Sequence, residues 1–379
     1  MIKIKIYKKN KGNRYLLIAV LSLIFVIISF SFVSNNEKYY KKTIAKVTKI
    51  TIEKETKTQD MNGNTDTIIY QHVYADVMNG RHKGEKIQME NKTSYSKAYD
   101  LDLKKNDEVF ITCKEGADGK IKSASVQDFK RDKYFVYISV LFILFILIIG
   151  RAKGFRSFVS LAVNMVIVYF IVKLYLAGCN MLLASSLASI LFIVLSILIV
   201  SGKNKKSFSA IISTIVGTSF SMAIALIVIN ASGGKGIHYE EMEFLTHPPE
   251  QIFMSEILIG VLGAIMDIAI SMSSAIEQLY EKNPGIDSKT LVKSGMEIGK
   301  DIMGTMANTL VFAYASGSMP IIILWLKNNY PVSYILNINI CLEVIRALTG
   351  SIGIVVSIPI TLFISMKLLK GRMIGDESL

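Results

Sequence analysis

The 379-residue sequence contains few of the residues that build disulfide frameworks, metal sites and catalytic centres. It has three cysteines and four histidines. Cys113, Cys179 and Cys341 are scattered, which implies no disulfide framework and matches no metal-ligand spacing. The sequence also lacks a Walker loop, a His-Glu-x-x-His motif and a Gly-x-Ser-x-Gly motif. We therefore predict that the chain is not an enzyme and that it uses no cofactor and no metal.

Acidic residues are outnumbered by basic ones, 30 to 43, which gives a net charge of +13. In a soluble protein such an excess would indicate nucleic acid, but no basic stripe interleaved with aromatic residues occurs outside the loops. In a membrane protein the same excess arises because cytoplasmic loops retain Lys and Arg. We therefore expect the lipid bilayer as the main partner and no nucleic acid.

Long apolar runs dominate the sequence, and hydrophobic residues make up 51% of it. The runs are near the ~20 residues that cross about 30 Å of hydrocarbon as a helix. They predict a polytopic α-helical membrane protein with about eight transmembrane helices and a small extracytoplasmic β-rich domain. The first run has a longer apolar core than a signal peptide, whose core has roughly 7–15 residues, and this favours an uncleaved anchor. The predicted spans are 15–33, 134–150, 155–177, 181–201, 208–230, 253–275, 304–326 and 347–366.

The segment 35–132 is polar overall, and within it polar and apolar residues alternate at a period of two. Runs at 43–53, 67–77 and 108–113 show this pattern, and turn signals such as Asn62-Gly63 and Asn79-Gly80 separate them. Short strands between such turns predict a small open barrel or a sandwich. The predicted organisation is an N-terminus with the first span at 1–34, a β-rich domain at 35–132 and a seven-helix membrane domain at 133–379.

The charges of the loops predict the orientation of the spans. The loops at 151–156 and 203–206 are basic and contain no acid, the hairpin at 178–180 carries no charge, and the loop at 231–252 is acidic. Since basic loops stay in the cytoplasm, both termini are predicted to be cytoplasmic and the β-rich domain extracytoplasmic. The expected location is the cell membrane, with a multi-pass topology.

The sixth predicted span carries a polar stripe along one helix face. Its six members fall within roughly 80° at about 100° per residue. An acid in mid-span is costly, so Asp267 is expected to face a bundle interior or an aqueous cavity. Small residues on the same stripe would alternatively make it a helix-packing seam, but a seam does not require an acid. The stripe consists of Glu256, Gly260, Gly263, Asp267, Ser271 and Ser274.

The seventh span places Asp301, Thr305 and Asn308 on one face, with Thr309 beside them. Asp301 lies at the predicted cytoplasmic mouth, where it could complement the helix dipole or take part in gating or a proton path. Asn308 lies deeper and could form a hydrogen bond with Asp267. A separate amphipathic helix, capped by Ser288, is predicted over 288–299.

The eighth span is entered through an ion pair. Glu343 and Arg346 are three residues apart, which allows them to pair on one helix. Gly350 and Gly353 follow and are predicted to serve close helix packing. Proline residues in the seventh and eighth spans, Pro320 and Pro359, are expected to kink or end their helices.

Two continuous runs resemble the signature of the bacterial YibE/F family of membrane proteins. They are Gly-Ala-Ile-Met-Asp-Ile-Ala-Ile-Ser at 263–271 and Ile-Gly-Lys-Asp-Ile-Met-Gly-Thr-Met-Ala-Asn-Thr-Leu at 298–310, with Ser294-Gly295 before the second. The resemblance extends over nearly the whole chain, including the β-rich segment and Gly150-Arg151-Ala152-Lys153-Gly154. Lys300 stands where the family pattern often has Arg, a departure that keeps the charge. The resemblance implies a bacterial membrane protein.

A second resemblance is to the membrane halves of SecD/SecF and RND-type transporters. Those families also place a soluble domain after the first span and use membrane acids for proton coupling. The acid in mid-span, the acidic exit at Glu277 and the polar run from Asp301 to Asn308 are similar to that arrangement. The chain departs from it in having eight predicted spans rather than six.

The sequence supports two hypotheses of function. In the first, the chain is an ion- or proton-coupled transporter or an export accessory. Asp267 would be the titrating group of a transport path through the membrane. The other residues predicted to line this path are Asp301, Glu256, Thr305, Asn308 and Thr309. In the second, it is a non-transporting scaffold whose β-rich domain binds a partner or an envelope component. A homo-oligomer or another membrane partner is open in both, and no residue pattern names a substrate.

Overall fold

The computed structural model describes residues 24–59, 63, 65–95, 100–117, 119–231, 233–234, 236–242 and 248–370. The chain divides into two compact units, Met1–Gly150 and Arg151–Leu379. Residues 15–23 of the predicted first span lie outside the described residues. Its last part forms helix α1 (Ile24–Ser34).

Five strands build the β-rich part of the first unit. They are β1 (Thr43–Gln59), β2 (Thr65–Val77), β3 (Lys86–Ser94), β4 (Glu108–Glu115) and β5 (Ile121–Phe129). They form a closed barrel in the order β1-β2-β3-β5-β4, and only β3 and β5 pair in parallel. This arrangement resembles the OB-fold, a five-stranded Greek-key barrel. The predicted sandwich is therefore wrong, and the barrel is closed rather than open.

The period-two pattern of the strands fills the barrel interior. Ala45 pairs with Val77 and Val47 with Ala75 across β1 and β2, and all four side chains are buried. Successive residues of a strand point to opposite faces, so the alternating polar residues remain outside. β1 and β2 continue past the barrel core as a long hairpin whose β1 residues are largely exposed.

A buried polar junction joins the barrel to the helices of the same unit. Asp132, the first residue of helix α2, accepts hydrogen bonds from Asn36 Nδ2 at 2.6 Å and Tyr40 Oη at 3.0 Å. Lys130 Nζ lies 2.8 Å from Glu108 Oε2 and 3.2 Å from Asp132 Oδ1. The Lys130 side chain is 1% exposed, so this cation is held by two carboxylates rather than by water.

Six helices of the described residues are long and apolar enough to cross a membrane. α2 contains the second and third predicted spans without a loop between them, and its backbone leaves the helical region at Arg151 (φ 49°, ψ −127°). The number of spans that the chain makes remains a prediction. The long helices are α2 (Asp132–Leu176), α3 (Met181–Ser201), α4 (Lys205–Ala231), α5 (Pro249–Lys282), α6 (Ser288–Lys327) and α8 (Cys341–Lys370), and a single turn, α7 (Val332–Tyr334), precedes α8.

In the second unit, α8 packs against α4, α5 and α6, and α5 also packs against α3 and α4. Glycines permit the closest approaches. A Cβ atom on Gly353 would lie 2.8 Å from Ile265 Cδ1 and 2.9 Å from Ser221 Oγ, and one on Gly217 would lie 3.3 Å from Ser357 Cβ. These contacts bring α4, α5 and α8 together around one core.

α6 differs from the prediction of a short amphipathic helix followed by a separate span. It runs without interruption from Ser288 to Lys327, with Pro320 inside it. Its N-cap is Asp287, whose carboxylate accepts a hydrogen bond from the Lys289 amide at 3.1 Å, so the predicted cap at Ser288 is wrong. Pro359 likewise lies inside α8 and does not end that helix.

Candidate functional site

The polar stripe of α5 lies on the face that the bundle leaves open. On the opposite face, Ile257, Ile265 and Ile268 are fully buried, and these residues form the core with α4 and α8. Asp267, like Glu256 and Ser271, is exposed. Of the two expected surroundings of the acid, the interior of the bundle is therefore wrong for a single chain, and the aqueous cavity stays a prediction. Because a helix has only one face toward its core, burial of the isoleucines requires the stripe to point outward.

Asp267 has no hydrogen-bond partner among the described residues. In particular, no hydrogen bond joins it to Asn308 within the described part of the chain, so the predicted contact is absent there. Gly263, one turn before Asp267, has no atom within 4 Å of the position that a Cβ would take. This part of α5 thus presents a carboxylate beside open space.

The polar residues of α6 lie at the same depth as Asp267. α5 and α6 run antiparallel: Gly260 lies against the Tyr314 hydroxyl, and a Cβ on Gly299 would lie 3.5 Å from Met272 Cε. Interpolating between these two contacts at 1.5 Å per residue places Asp267 level with residues 305–307. Thr305 and Asn308 are therefore within about one turn of Asp267 along the axes of the two helices.

α6 also exposes its polar face. Asp301, Thr305, Asn308 and Thr309 are all exposed. The Thr305 hydroxyl donates to the Ile302 carbonyl at 2.9 Å, and the Thr309 hydroxyl to the Thr305 carbonyl at 2.8 Å. Asp301 lies several turns inside the helix, whereas the field of a helix dipole falls off within its first turn. The proposed dipole role of Asp301 is therefore wrong.

An ion cluster lies where α8 meets α5. The predicted pair of Glu343 and Arg346 is present, and Arg346 Nη2 also lies 2.6 Å from Glu256 Oε2, a residue 90 positions earlier. The Arg346 guanidinium stacks over the Phe253 ring at 5.2 Å from its centroid. Glu256 thus belongs to a shared ion cluster, which sequence spacing could not indicate because the partners are far apart in the chain.

The glycines predicted to serve packing divide into two groups. Gly350 contacts Leu310, Gly353 contacts Ile265 and Ser221, and Gly260 contacts the Tyr314 hydroxyl. Gly263 has no such neighbour, and Ser274 is only partly buried. Close packing within the chain therefore uses the α8 glycines and Gly260, and leaves Asp267 and Ser271 of the α5 stripe exposed.

A buried ring of hydroxyls joins α4, α5 and α8, and sequence reasoning missed it. Ser209 Oγ lies 2.7 Å from Ser365 Oγ and 3.3 Å from Ser273 Oγ, and Ser365 lies 3.3 Å from Ser273. At the same end of the bundle, Lys206 Nζ pairs with Glu277 Oε2 at 3.0 Å. The available signal was the recurrence of small hydroxyl residues at helical spacing in α4.

The barrel contains a second titratable cluster that the sequence did not reveal. His82, which is 8% exposed, lies between Glu115 Oε1 at 2.8 Å and Glu85 Oε1 at 2.9 Å. The hydrogen bond to Glu115, followed by that to Glu85, raises the pKa of His82, and the same contact lowers the pKa of Glu115. Among the described residues, no group of three or more His, Cys, Asp and Glu side chains is arranged to hold a metal ion.

Two family comparisons cover most of the chain. The family described as YibE/F-like protein matches residues 138–371, and the YibE/F family N-terminal domain matches residues 38–129. The chain belongs to the YibE/F family. In this YibE/F protein, the N-terminal match covers the barrel and the longer match covers nearly all of α2 to α8. No curated protein and no solved structure matches the chain.

The runs that resemble the family signature lie in α5 and α6 and contain both buried core residues and the exposed polar residues of these helices. The run at 263–271 lies in α5 around Asp267, and the run at 298–310 lies in α6 with Asp301 and Asn308. Lys300, which departs from the family pattern, forms an exposed pair with Glu297 at 2.8 Å. The departure therefore lies at a surface ion pair rather than at a buried contact.

Proposed function

We propose that this YibE/F protein is an ion- or proton-coupled membrane transporter or export accessory in which Asp267 is the titrating group. The observation that carries the proposal is an unpaired carboxylate in mid-span, level with Thr305 and Asn308 on the neighbouring helix. Ionisable residues at membrane depth are costly and mark ion or proton pathways. The proposed location is a bacterial cell membrane, with both termini in the cytoplasm.

The polar residues of α6 would line the route on either side of Asp267. Asn308 offers an amide that can both donate and accept hydrogen bonds, and Asp301 offers a second carboxylate about two turns before Asn308 along α6. A proton or a small cation entering near Asp301 would pass Thr305 before it reaches the depth of Asp267. The Glu256–Arg346–Glu343 cluster would lie at the far end of this route.

The proposal is tested by ion flux in proteoliposomes that contain the full-length protein. Asp267→Asn keeps the size and the hydrogen-bonding capacity of the side chain but cannot titrate, so coupled flux should be lost. Asp267→Glu keeps the carboxyl group and should retain part of the flux. Glu297→Gln removes an exposed acid on the surface of α6 and should leave the flux unchanged.

Equal flux from the wild type and Asp267→Asn would overturn the role of Asp267. Reconstitution has to be comparable between the variants, so the amount of protein in each vesicle preparation is measured with the flux. If both Asp267→Asn and Asp267→Glu fold correctly but lose flux, a carboxyl group at this position is not sufficient. Titration alone would then not explain why Asp267 is required.

The barrel supports a second candidate, a scaffold that binds a partner or an envelope component outside the cytoplasm. Strand β2 exposes Tyr70 and Tyr74 on its outer face, and Lys92 of β3 lies over the Tyr70 ring at 5.7 Å. Exposed aromatic residues beside cations can stack on a ligand while the lysines pair with its anionic groups. In OB-fold barrels the ligand face includes strands 2 and 3.

The two candidates predict opposite outcomes for two changes. If the scaffold function is correct, deletion of residues 40–130 abolishes function and Asp267→Asn does not. If the transporter function is correct, Asp267→Asn abolishes coupled flux in a protein whose barrel is intact. A cell-based complementation assay of both variants, with expression levels measured, separates the two.

A further inference from the structure

The open polar faces of α5 and α6 cannot both be left against lipid. Only 6% of the apolar span of α6 is buried, compared with 56% for α5. The uncovered residues include Asp301 and Asn308 on α6 and Asp267 on α5. Acids and amides at membrane depth face other protein or water rather than hydrocarbon. In the described part of the chain these residues stay exposed, so water or another protein surface has to meet them.

We infer that a second copy of this chain covers this face, and that Asn308 of one copy lies opposite Asp267 of the other in a two-fold symmetric dimer. The inference deepens the proposed function, since it completes the same site with residues from both copies. Single chains leave each of the two groups without a side-chain partner among the described residues.

The depths of the two residues fit this symmetry. Two copies inserted in the same direction can be related only by an axis along the membrane normal, so residues at equal depth meet. Asp267 and Asn308 are within about one turn of each other in depth by the antiparallel register of α5 and α6. In an isologous interface, residue i contacts residue j and residue j contacts residue i, so one contact is made twice.

The chemistry of the face also favours its own copy. Asp267 is an acceptor when ionised, and Asn308 carries an NH₂ donor, so the pair is complementary. Gly263 and Gly304 each have open space where a Cβ would be. Small residues of this kind let helices from two chains approach closely enough for such hydrogen bonds.

Cross-linking of the full-length protein in its native membrane tests the inference. The natural cysteines are first replaced by serine. Ser271→Cys and Gly304→Cys are then placed in separate chains with different affinity tags, at exposed positions about one turn apart in depth on α5 and α6, and are joined by a bifunctional thiol reagent that spans this distance. We expect a cross-linked band with both tags at twice the 42.2 kDa chain mass. Leu187→Cys, at a 60% exposed position on α3, is the control and should give no such band.

Asn308→Leu should reduce the cross-linked band roughly tenfold, because two symmetry-related hydrogen bonds within a membrane are worth about threefold each. A single chain per particle by photobleaching, a cross-link no stronger than that of Leu187→Cys, or a complex with a different protein would each overturn the dimer. If the protein is a single chain but Asp267→Asn still abolishes flux, the proposed function stands and only the dimer fails. If the protein is a dimer and its flux survives Asp267→Asn, the dimer stands and the proposed function fails.

Discussion

Lys130 shows how one side chain can hold the barrel to its helices. Its ammonium group is buried between Glu108 and Asp132. Lys130→Ala would leave two carboxylates without their cation, and breaking a buried pair in this way costs about 3–5 kcal/mol. Arg131→Gln is the matched control, because the Arg131 pair with Asp128 is exposed on both sides and such pairs contribute about 1 kcal/mol or less.

The measurement is the apparent unfolding temperature of the purified full-length protein, with the two variants compared in the same detergent. A large decrease for Lys130→Ala and almost none for Arg131→Gln are expected. Similar decreases for both variants would show that the burial of Lys130 does not matter.

His82 should make the stability of the barrel depend on pH. Its folded pKa is raised by Glu115 and Glu85, so the stabilisation is fully present below the unfolded value of about 6.5. It is lost as the pH rises through the higher folded pKa, because the imidazolium then loses its proton. Arg81 also faces this cluster, 4.0 Å from Glu115.

The expected result is that the unfolding temperature of the wild type falls as the pH rises through the folded pKa, while that of His82→Gln does not follow this change. His72→Gln serves as the control, since its ring is more exposed and pairs with Glu53 at 3.3 Å. The same pH profile in wild type and His82→Gln would exclude His82 as its source.

Among the helices, replacing a glycine by alanine is predicted to affect stability differently in α5 and in α8. Gly353→Ala would place a methyl group 2.8 Å from Ile265 Cδ1, and overpacking of this kind costs about 1–3 kcal/mol. Gly263→Ala meets no atom within 4 Å, so it should cause no loss of stability in the single chain. The unfolding temperatures of the two variants check this, and a greater loss for Gly263→Ala would contradict the helix packing described here.

The sequence was sufficient to predict the positions of some helices and not of others. Runs near 20 residues identified the apolar parts of α3, α4, α5 and α8, since length and hydropathy are local properties. It failed for α6, which was divided at residues 299–304. The apolar run that predicts the span begins at 304, whereas the helix is continuous from Ser288 to Lys327 and Gly299 within it packs against Ile358. That contact is with α8, so no local pattern contains it.

At the scale of the whole molecule, the sequence placed Asp267 on a polar face but could not give the direction of that face. Periodicity fixes which residues share a face of a helix, whereas the neighbours of the helix decide which face is buried. The contacts that bury the isoleucine face of α5 come from α4 and α8. Likewise, the approach of Glu256 to Arg346 depends on the packing of α5 against α8, which no local pattern contains.

The sequence was sufficient to indicate the family but not to decide between a barrel and a sandwich. Several apolar and polar residues in fixed order around Asp267 and Asp301 were enough for the YibE/F resemblance, and the family matches confirmed it. The alternation of the strands predicted a small β domain but left barrel and sandwich open. The pairing of β3 with β5, which closes the barrel, joins segments separated by β4 and has no local signal.

The most direct test of the central claim is whether Asp267 exchanges a proton within the membrane. A carbodiimide that dissolves in lipid reacts with a carboxyl group only in its protonated form, and mass spectrometry of the full-length protein identifies the modified residue. We expect modification at Asp267 that decreases as the pH rises, and none at this position in Asp267→Asn. Modification that is absent at every pH, or that does not change with pH, would contradict it.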